Sequence, residues 1–286
     1  AATSALAVAF WRNLLAVGVV GPFALIRRRR EFRALFGRPA DRERHGAGAG
    51  RATGSALPPS IERRAGRYRI LGREGRYCVL AGVALAVHFG TWMPSAQLTS
   101  VAMATALVAT QPVWQGLIAL AQGQRLPVTV WCGIGVAVTG AFLATGADFG
   151  TSGRALAGDL LALLGAMAAA VYTALGEQAR RAISTTTYTT ICYGVCALLL
   201  LVACLVVGVP LGGYDPSTWL AILGLVAGAQ LLGHSMFSYA LHRISATTIS
   251  VLILLEAPGA ALIAWAWLGQ VPRLSALPGM GLVLIG

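Results

Sequence analysis

Glu256 sits in the middle of an apolar run, LILLEAPGAALIAW (residues 252–265), two residues ahead of Pro258. A carboxylate at such a position inside a membrane span costs about 3 kcal/mol even on lenient insertion scales, so groups of this kind face a cavity or the bundle interior. There it can exchange a proton or bind a substrate amine; the alternative is a neutral acid hydrogen-bonded to a neighbouring helix. His88 and His234 also fall in apolar runs. Imidazole changes charge near neutral pH, so each is either a proton carrier or a satisfied interhelical donor. Trp92 lies one helical turn beyond His88 on the same face, placed for an aromatic wall or for interfacial anchoring. Tyr172 and Arg12 are further polar groups within apolar runs. Arg12 is expected near the outer surface, pairing or snorkelling.

Composition says which elements must hold these groups. Of 286 residues, 57% are hydrophobic and 11% charged, against roughly a quarter charged in a soluble domain. The apolar residues come in blocks of about 20, the length at which an α-helix crosses ~30 Å of hydrocarbon. Nine blocks are legible, at 3–26, 78–96, 99–121, 128–146, 156–176, 186–209, 218–240, 246–268 and 274–286. The expected fold class is an all-α polytopic membrane protein.

Charge orients the blocks. Fifteen of the 22 basic residues lie between positions 27 and 76 with five acids among them, all are arginine, and the chain has no lysine. A basic segment marks the cytoplasmic side. The later loops then alternate, with 19 arginines inside, Arg154 and Arg273 outside and Arg12 in a span. The basic segment also suits contact with anionic lipid, and its sparse aromatic residues argue against nucleic acid. The first apolar block runs into RRRR with no small-residue cleavage site, so no signal peptide is expected. The expected location is the cell (plasma) membrane, with the loop at 27–76 cytoplasmic. Oligomeric state is left open, a homodimer among the options.

Other patterns read blandly. The five cysteines lie in or beside apolar blocks; Cys192 and Cys196 share a helix face, but zinc needs about four ligands and no further ones cluster there. They are read as packing residues, with no metal and no cofactor. GAGAGRATGS (46–55) lacks the G-K-[ST] of a phosphate loop and reads as flexible linker. Gly224 and Gly228 form a G-x-x-x-G, which points to close helix packing.

Shifting the chain by 146 positions superposes Gly82 on Gly228, His88 on His234, Pro112 on Pro258, Gln124 on Gln270, Gly133 on Gly279 and Gly140 on Gly286. The blocks at 78–96, 99–121 and 128–146 thus pair with 218–240, 246–268 and 274–286, and 3–26 pairs with 186–209. The block at 156–176 has no partner, so one helix is expected before Ala1, and the last block looks cut short. The expected domains are 1–146 as a first repeat lacking its first helix, 147–155 as an external linker and 156–286 as a second repeat. Ten helices in the full protein, about nine of them present, make two inverted five-helix repeats, because an odd number of crossings turns the second repeat over. Transporters of this kind bind near the midplane between repeats. Pro258 frees the Leu254 carbonyl and Pro112 that of Val108, either to line a cavity or as plain packing kinks. Gln111 precedes Pro112 as Ala257 precedes Pro258, while Thr110 takes the position of Glu256. The halves are chemically unequal, as a site for an asymmetric solute requires.

The stretches ALVATQPVWQGLIALAQGQ (106–124) and LILLEAPGAALIAWAWLGQ (252–270) resemble the twice-occurring signature of EamA-domain proteins in the drug/metabolite transporter superfamily, and AFWRNLLAVGVVGPFAL (9–25) is similar to that family's second helix. The resemblance implies ten helices, alternating access, and export or exchange of small metabolites, amino-acid-like solutes or drugs. Gln124 and Gln270 stand where the family usually has Glu, and the basic loop is longer than expected. The expected function is a secondary transporter, a permease or exporter that acts on a small-molecule substrate with proton coupling through Glu256 or the histidines. The alternatives are an intramembrane enzyme or a channel-like protein. No H-E-x-x-H and no nucleophile beside a base favours the enzyme; Gly233-His234-Ser235 comes nearest, and neighbours on a helix point apart.

Overall fold

The computed structural model describes residues 4–36, 71–146, 152–269, 271 and 273–286, and every regular element among them is helical. Most of the basic segment, the glycine-rich linker at 46–55 and Gln270 lie outside the described residues. The elements are α1 (Ala5–Arg27), α2 (Arg29–Phe36), α3 (Leu71–Leu98), α4 (Val101–Val108), α5 (Gln111–Ala121), α6 (Val128–Thr145), α7 (Gly153–Arg180) and α8 (Thr185–Val207). They continue with α9 (Pro216–Leu225), a π-helical segment (Val226–His234), α10 (Ser235–Ala240), α11 (Ala246–Ile253), α12 (Glu256–Leu268), a 3₁₀ turn (Leu274–Ala276) and α13 (Leu277–Ile285).

Eight helices, counting interrupted ones as single crossings, are long and apolar enough to span a bilayer among the described residues. The ninth apolar block forms a shorter apolar helix, Leu274–Ile285. The chain is a multi-pass membrane protein. Its outward face bears this out on α8, where Leu198, Val202, Leu205 and Val206 are exposed as lipid would have them. The helices run past their apolar blocks; α3 starts at Leu71 and takes Arg73 and Arg76 into its first turns.

Helix starts follow local chemistry. Ser100, Ser152, Ser184, Asp215 and Ser245 each accept a hydrogen bond from the amide three residues on, which satisfies one of the orphan donors of a first turn. Two crossings are broken in the middle: α4 and α5 are separated at Ala109 and Thr110, and α11 and α12 at Leu254 and Leu255. Pro112 and Pro258 follow these breaks and are buried; each falls in the first turn of its helix, where proline's missing N–H costs no helical hydrogen bond.

The core lies where α1, α3, α7 and α8 meet, around Leu85, Phe89, Tyr188, Tyr193 and Cys192. Small residues allow the close approaches. A Cβ on Gly158 would lie 2.7 Å from the Thr99 amide, and one on Gly165 3.0 Å from Trp92 Cβ, so α7 and α3 meet nearly backbone to backbone. The pairing of α6 with α13 is of the same kind. A Cβ on Gly133 would meet the Gly286 carbonyl at 2.8 Å, and one on Gly140 the Gly279 carbonyl at 2.7 Å. Since Gly133 corresponds to Gly279 and Gly140 to Gly286 in the repeat, each glycine meets the counterpart of the other. That reciprocity is the mark of a two-fold contact, and it requires α6 and α13 to run antiparallel. Gly224 and Gly228 play no such part: no described atom comes within 4 Å of a Cβ on either. The G-x-x-x-G therefore packs against no other described helix, and the chain leaves α-helical winding at Val226, between the two glycines.

Candidate functional site

A cavity of about 680 Å³ is lined by α1, α3, both broken crossings, α6, α7, the π segment and α10, within the usual size range of small-molecule sites. The elements surrounding it come from both halves of the repeat. His88, Trp92, Gln111, Tyr172, His234 and Glu256 all line it. Pro112 and Pro258 do not line it; they stand behind the wall that their helix breaks open.

Each polar group is held by identifiable contacts. His88 Nδ1 lies 2.9 Å from the Gly165 carbonyl; a carbonyl only accepts, so Nδ1 carries the hydrogen and Nε2 is the other ring nitrogen left for chemistry. The His88 ring stacks on Trp92, with centroids 5.6 Å apart and planes 16° from parallel. That matches the shared helix face expected for the two. The indole Nε1 of Trp92 is buried with no hydrogen-bond partner among the described residues. Phe89 lies between the histidines in space, with its ring 5.0 Å from His88 and 5.6 Å from His234. Tyr172 Oη is 3.2 Å from Ser238 Oγ, which donates to the His234 carbonyl at 2.8 Å.

Gln111 donates to Thr173 Oγ1 at 3.1 Å. It opens α5 as Glu256 opens α12, so in the structure Glu256 corresponds to Gln111. The ungapped shift paired Glu256 with Thr110 instead. The cause is one extra residue between the capping serine and the proline in the second half, Ser245 to Pro258 against Ser100 to Pro112. Glu256 is exposed to the cavity space. The Leu254 carbonyl is not free, as proline alone would leave it: it accepts from the Ala257 amide at 3.3 Å, because the chain tightens to a shorter-range bond at the break.

Arg12 departs furthest from expectation. It is 5% exposed and lines the cavity rather than sitting at the outer surface. Nε donates to Gln230 Oε1 at 2.8 Å, Gln230 Nε2 donates to Asn13 Oδ1 at 3.1 Å, and Asn13 Nδ2 donates to the Ala9 carbonyl at 2.9 Å. The guanidinium carbon lies 4.5 Å from the Phe89 ring centroid, within cation–π range. Sequence reasoning missed Asn13 and Gln230. Both are amides inside apolar blocks, a signal that was present, but the winding that brings Gln230 to Arg12 leaves no periodic trace. Single-turn π geometry often accompanies functional sites, and here nine residues of it place both Gln230 and His234. Of the cysteines, Cys78, Cys192, Cys196 and Cys204 are buried and Cys132 is exposed.

Residues 156–286 match the model of the EamA-like transporter family. The chain carries an EamA-like domain. Proteins of this family are generally transporters, and the match takes in His234, Glu256 and Pro258 but not the first half. A solved crystal structure is similar over 99% of this chain and 85% of its own, with a TM-score of 0.71 and 18% identity; at that identity the likeness shows a common fold around the EamA-like domain. Among proteins of curated function, none matches this chain in sequence.

Proposed function

We propose that this protein is a secondary transporter, moving small solutes through the cavity by alternating access of two inverted halves. One observation carries the reading: a single cavity takes its walls from both halves and gathers Arg12, Glu256, His88 and His234. Ionisable groups are expensive inside a membrane and mark solute or proton pathways, and inverted repeats with broken helices place such a site between the halves. The basic segment at 27–76 would face the cytoplasm of a plasma-membrane protein and touch anionic lipid. Export driven by a proton gradient would run through Glu256, whose carboxyl is open to the cavity, with His88 Nε2 as a second proton site.

Counterflow in proteoliposomes tests transport: uptake of labelled solute that saturates and accelerates when unlabelled solute is loaded inside supports a carrier, and linear, unaccelerated flux removes it. Coupling has its own test. Glu256→Gln should abolish flux driven by a pH gradient while solute exchange persists; if gradient-driven flux survives unchanged, Glu256 has no part in coupling.

A further inference from the structure

We propose that Arg12 is the anion-binding group of the cavity, and that the solute it selects is a monocarboxylate with an apolar or aromatic body. The carriage of that solute rests on the transporter reading above; its binding does not.

A guanidinium keeps its proton in proteins, and a buried charge is ordinarily paired. Arg12 is buried, yet the groups that hold it, Gln230 and the face of Phe89, are neutral. Among the described residues no acid forms an ion pair with Arg12, and none of those residues is a hydrogen-bond partner of either terminal nitrogen. Neither terminal nitrogen is among the sealed, unsatisfied atoms of the interior, as expected of a side chain that lines a cavity. Anchored through Nε alone, the group presents the fork of Nη1 and Nη2, whose geometry matches the two oxygens of a carboxylate. Gln230, which holds Nε, is supplied by the π segment.

Charge limits the anion to a single negative charge. Glu256 lines the same cavity without an ion pair to Arg12. With the Glu256 carboxyl protonated, as when it carries the coupling proton, the chamber holds one positive charge, which a monocarboxylate balances and a dianion such as a phosphate ester overshoots. The rest of the wall sets the body of the solute. Trp92 stacked on His88, with Phe237, Leu252 and Ile253, offers aromatic and aliphatic surface for that body, while Gln111, Thr145 and Ser238 are neutral polar groups of the same wall.

The test uses the purified chain in lipid nanodiscs and three probes with one body: 3-phenylpropanoate, 3-phenylpropanol and 3-phenylpropylamine. The acid should raise the melting temperature and bind at least tenfold more tightly than the alcohol or the amine. Gln230→Glu puts a carboxylate from within the chain onto Arg12, at the loss of the Nε2–H bond to Asn13, and should weaken the acid at least tenfold while the free protein keeps a cooperative melting transition. Arg12→Lys keeps the charge but not the fork and should weaken the acid similarly, which guards against misfolding of either variant. The proposal is overturned if the acid fails to bind at millimolar concentration, if the alcohol or amine binds as tightly, or if both variants retain wild-type affinity. Counterflow separates this from the transporter reading. Arg12-dependent binding without counterflow removes the carrier and keeps the anion site; counterflow of another solute, indifferent to both variants, keeps the carrier and removes the anion site.

Discussion

His88 shows what one hydrogen bond contributes in this interior. Its Nδ1–H reaches from α3 to the Gly165 carbonyl on α7, at the level where glycine lets those helices touch. A net hydrogen bond is worth roughly 1 kcal/mol. His88→Leu should therefore lower the melting temperature, whereas His88→Asn, whose amide can donate from nearly the same point, should recover part of the loss while still lacking a titratable ring. Thermal unfolding in detergent together with the pH profile of flux separates the two roles: the structural one is rescued by Asn and the proton-carrying one is not. Asp215 makes the residue-scale case for pH. Its carboxyl is held down to about 2, first by the Ser217 hydroxyl and next by the Thr218 amide. A depressed carboxylate stabilises fully above its ordinary range and loses that contribution as pH falls towards the folded value. The protection of the amides at the start of α9, taken as the exchange rate relative to its intrinsic value at each pH, should thus stay constant from neutral pH to about 4 and fall, relative to other helix starts, between about 4 and 2.

The serine caps at the helix starts carry comparable weight. Ser245 begins α11 by accepting from the Thr248 amide, and Ser245→Ala should cost about 1 kcal/mol, read as a lower melting temperature with transport affinity unchanged. The π segment behaves differently. Deleting Ala229 would bring the winding closer to α-helical and turn Gln230 and His234 relative to each other; membrane insertion should persist while solute binding falls at least tenfold, and a deletion that leaves binding intact would detach the segment from the site. This contrast explains what was legible beforehand. The crossings could be read because each is decided by the apolar content of about 20 consecutive residues, and the site could be partly read because Glu256, His88 and His234 are conspicuous in apolar blocks. The link between Arg12 and Gln230 spans 218 positions and depends on helical winding that no local pattern encodes. Glu256 was matched to Thr110 because an ungapped shift cannot register one inserted residue between Ser245 and Pro258.

For the whole molecule, the pairing of α6 with α13 sets how the halves are related. Gly140 faces Gly279 and Gly133 faces Gly286 with no room for a Cβ, so Gly140→Leu should force the helices apart and destabilise by about 1–3 kcal/mol, as overpacking does elsewhere. Denaturant unfolding of the variant in mixed micelles would measure it, and wild-type stability would show that the contact yields freely. The reciprocal glycines have one further consequence. If transport exchanges the shapes of the two halves, a contact lying on the axis that relates them is carried onto itself. Every other seam in the bundle must then trade one set of neighbours for another during the cycle, while this glycine crossing can serve as the fulcrum, the same before and after each turnover.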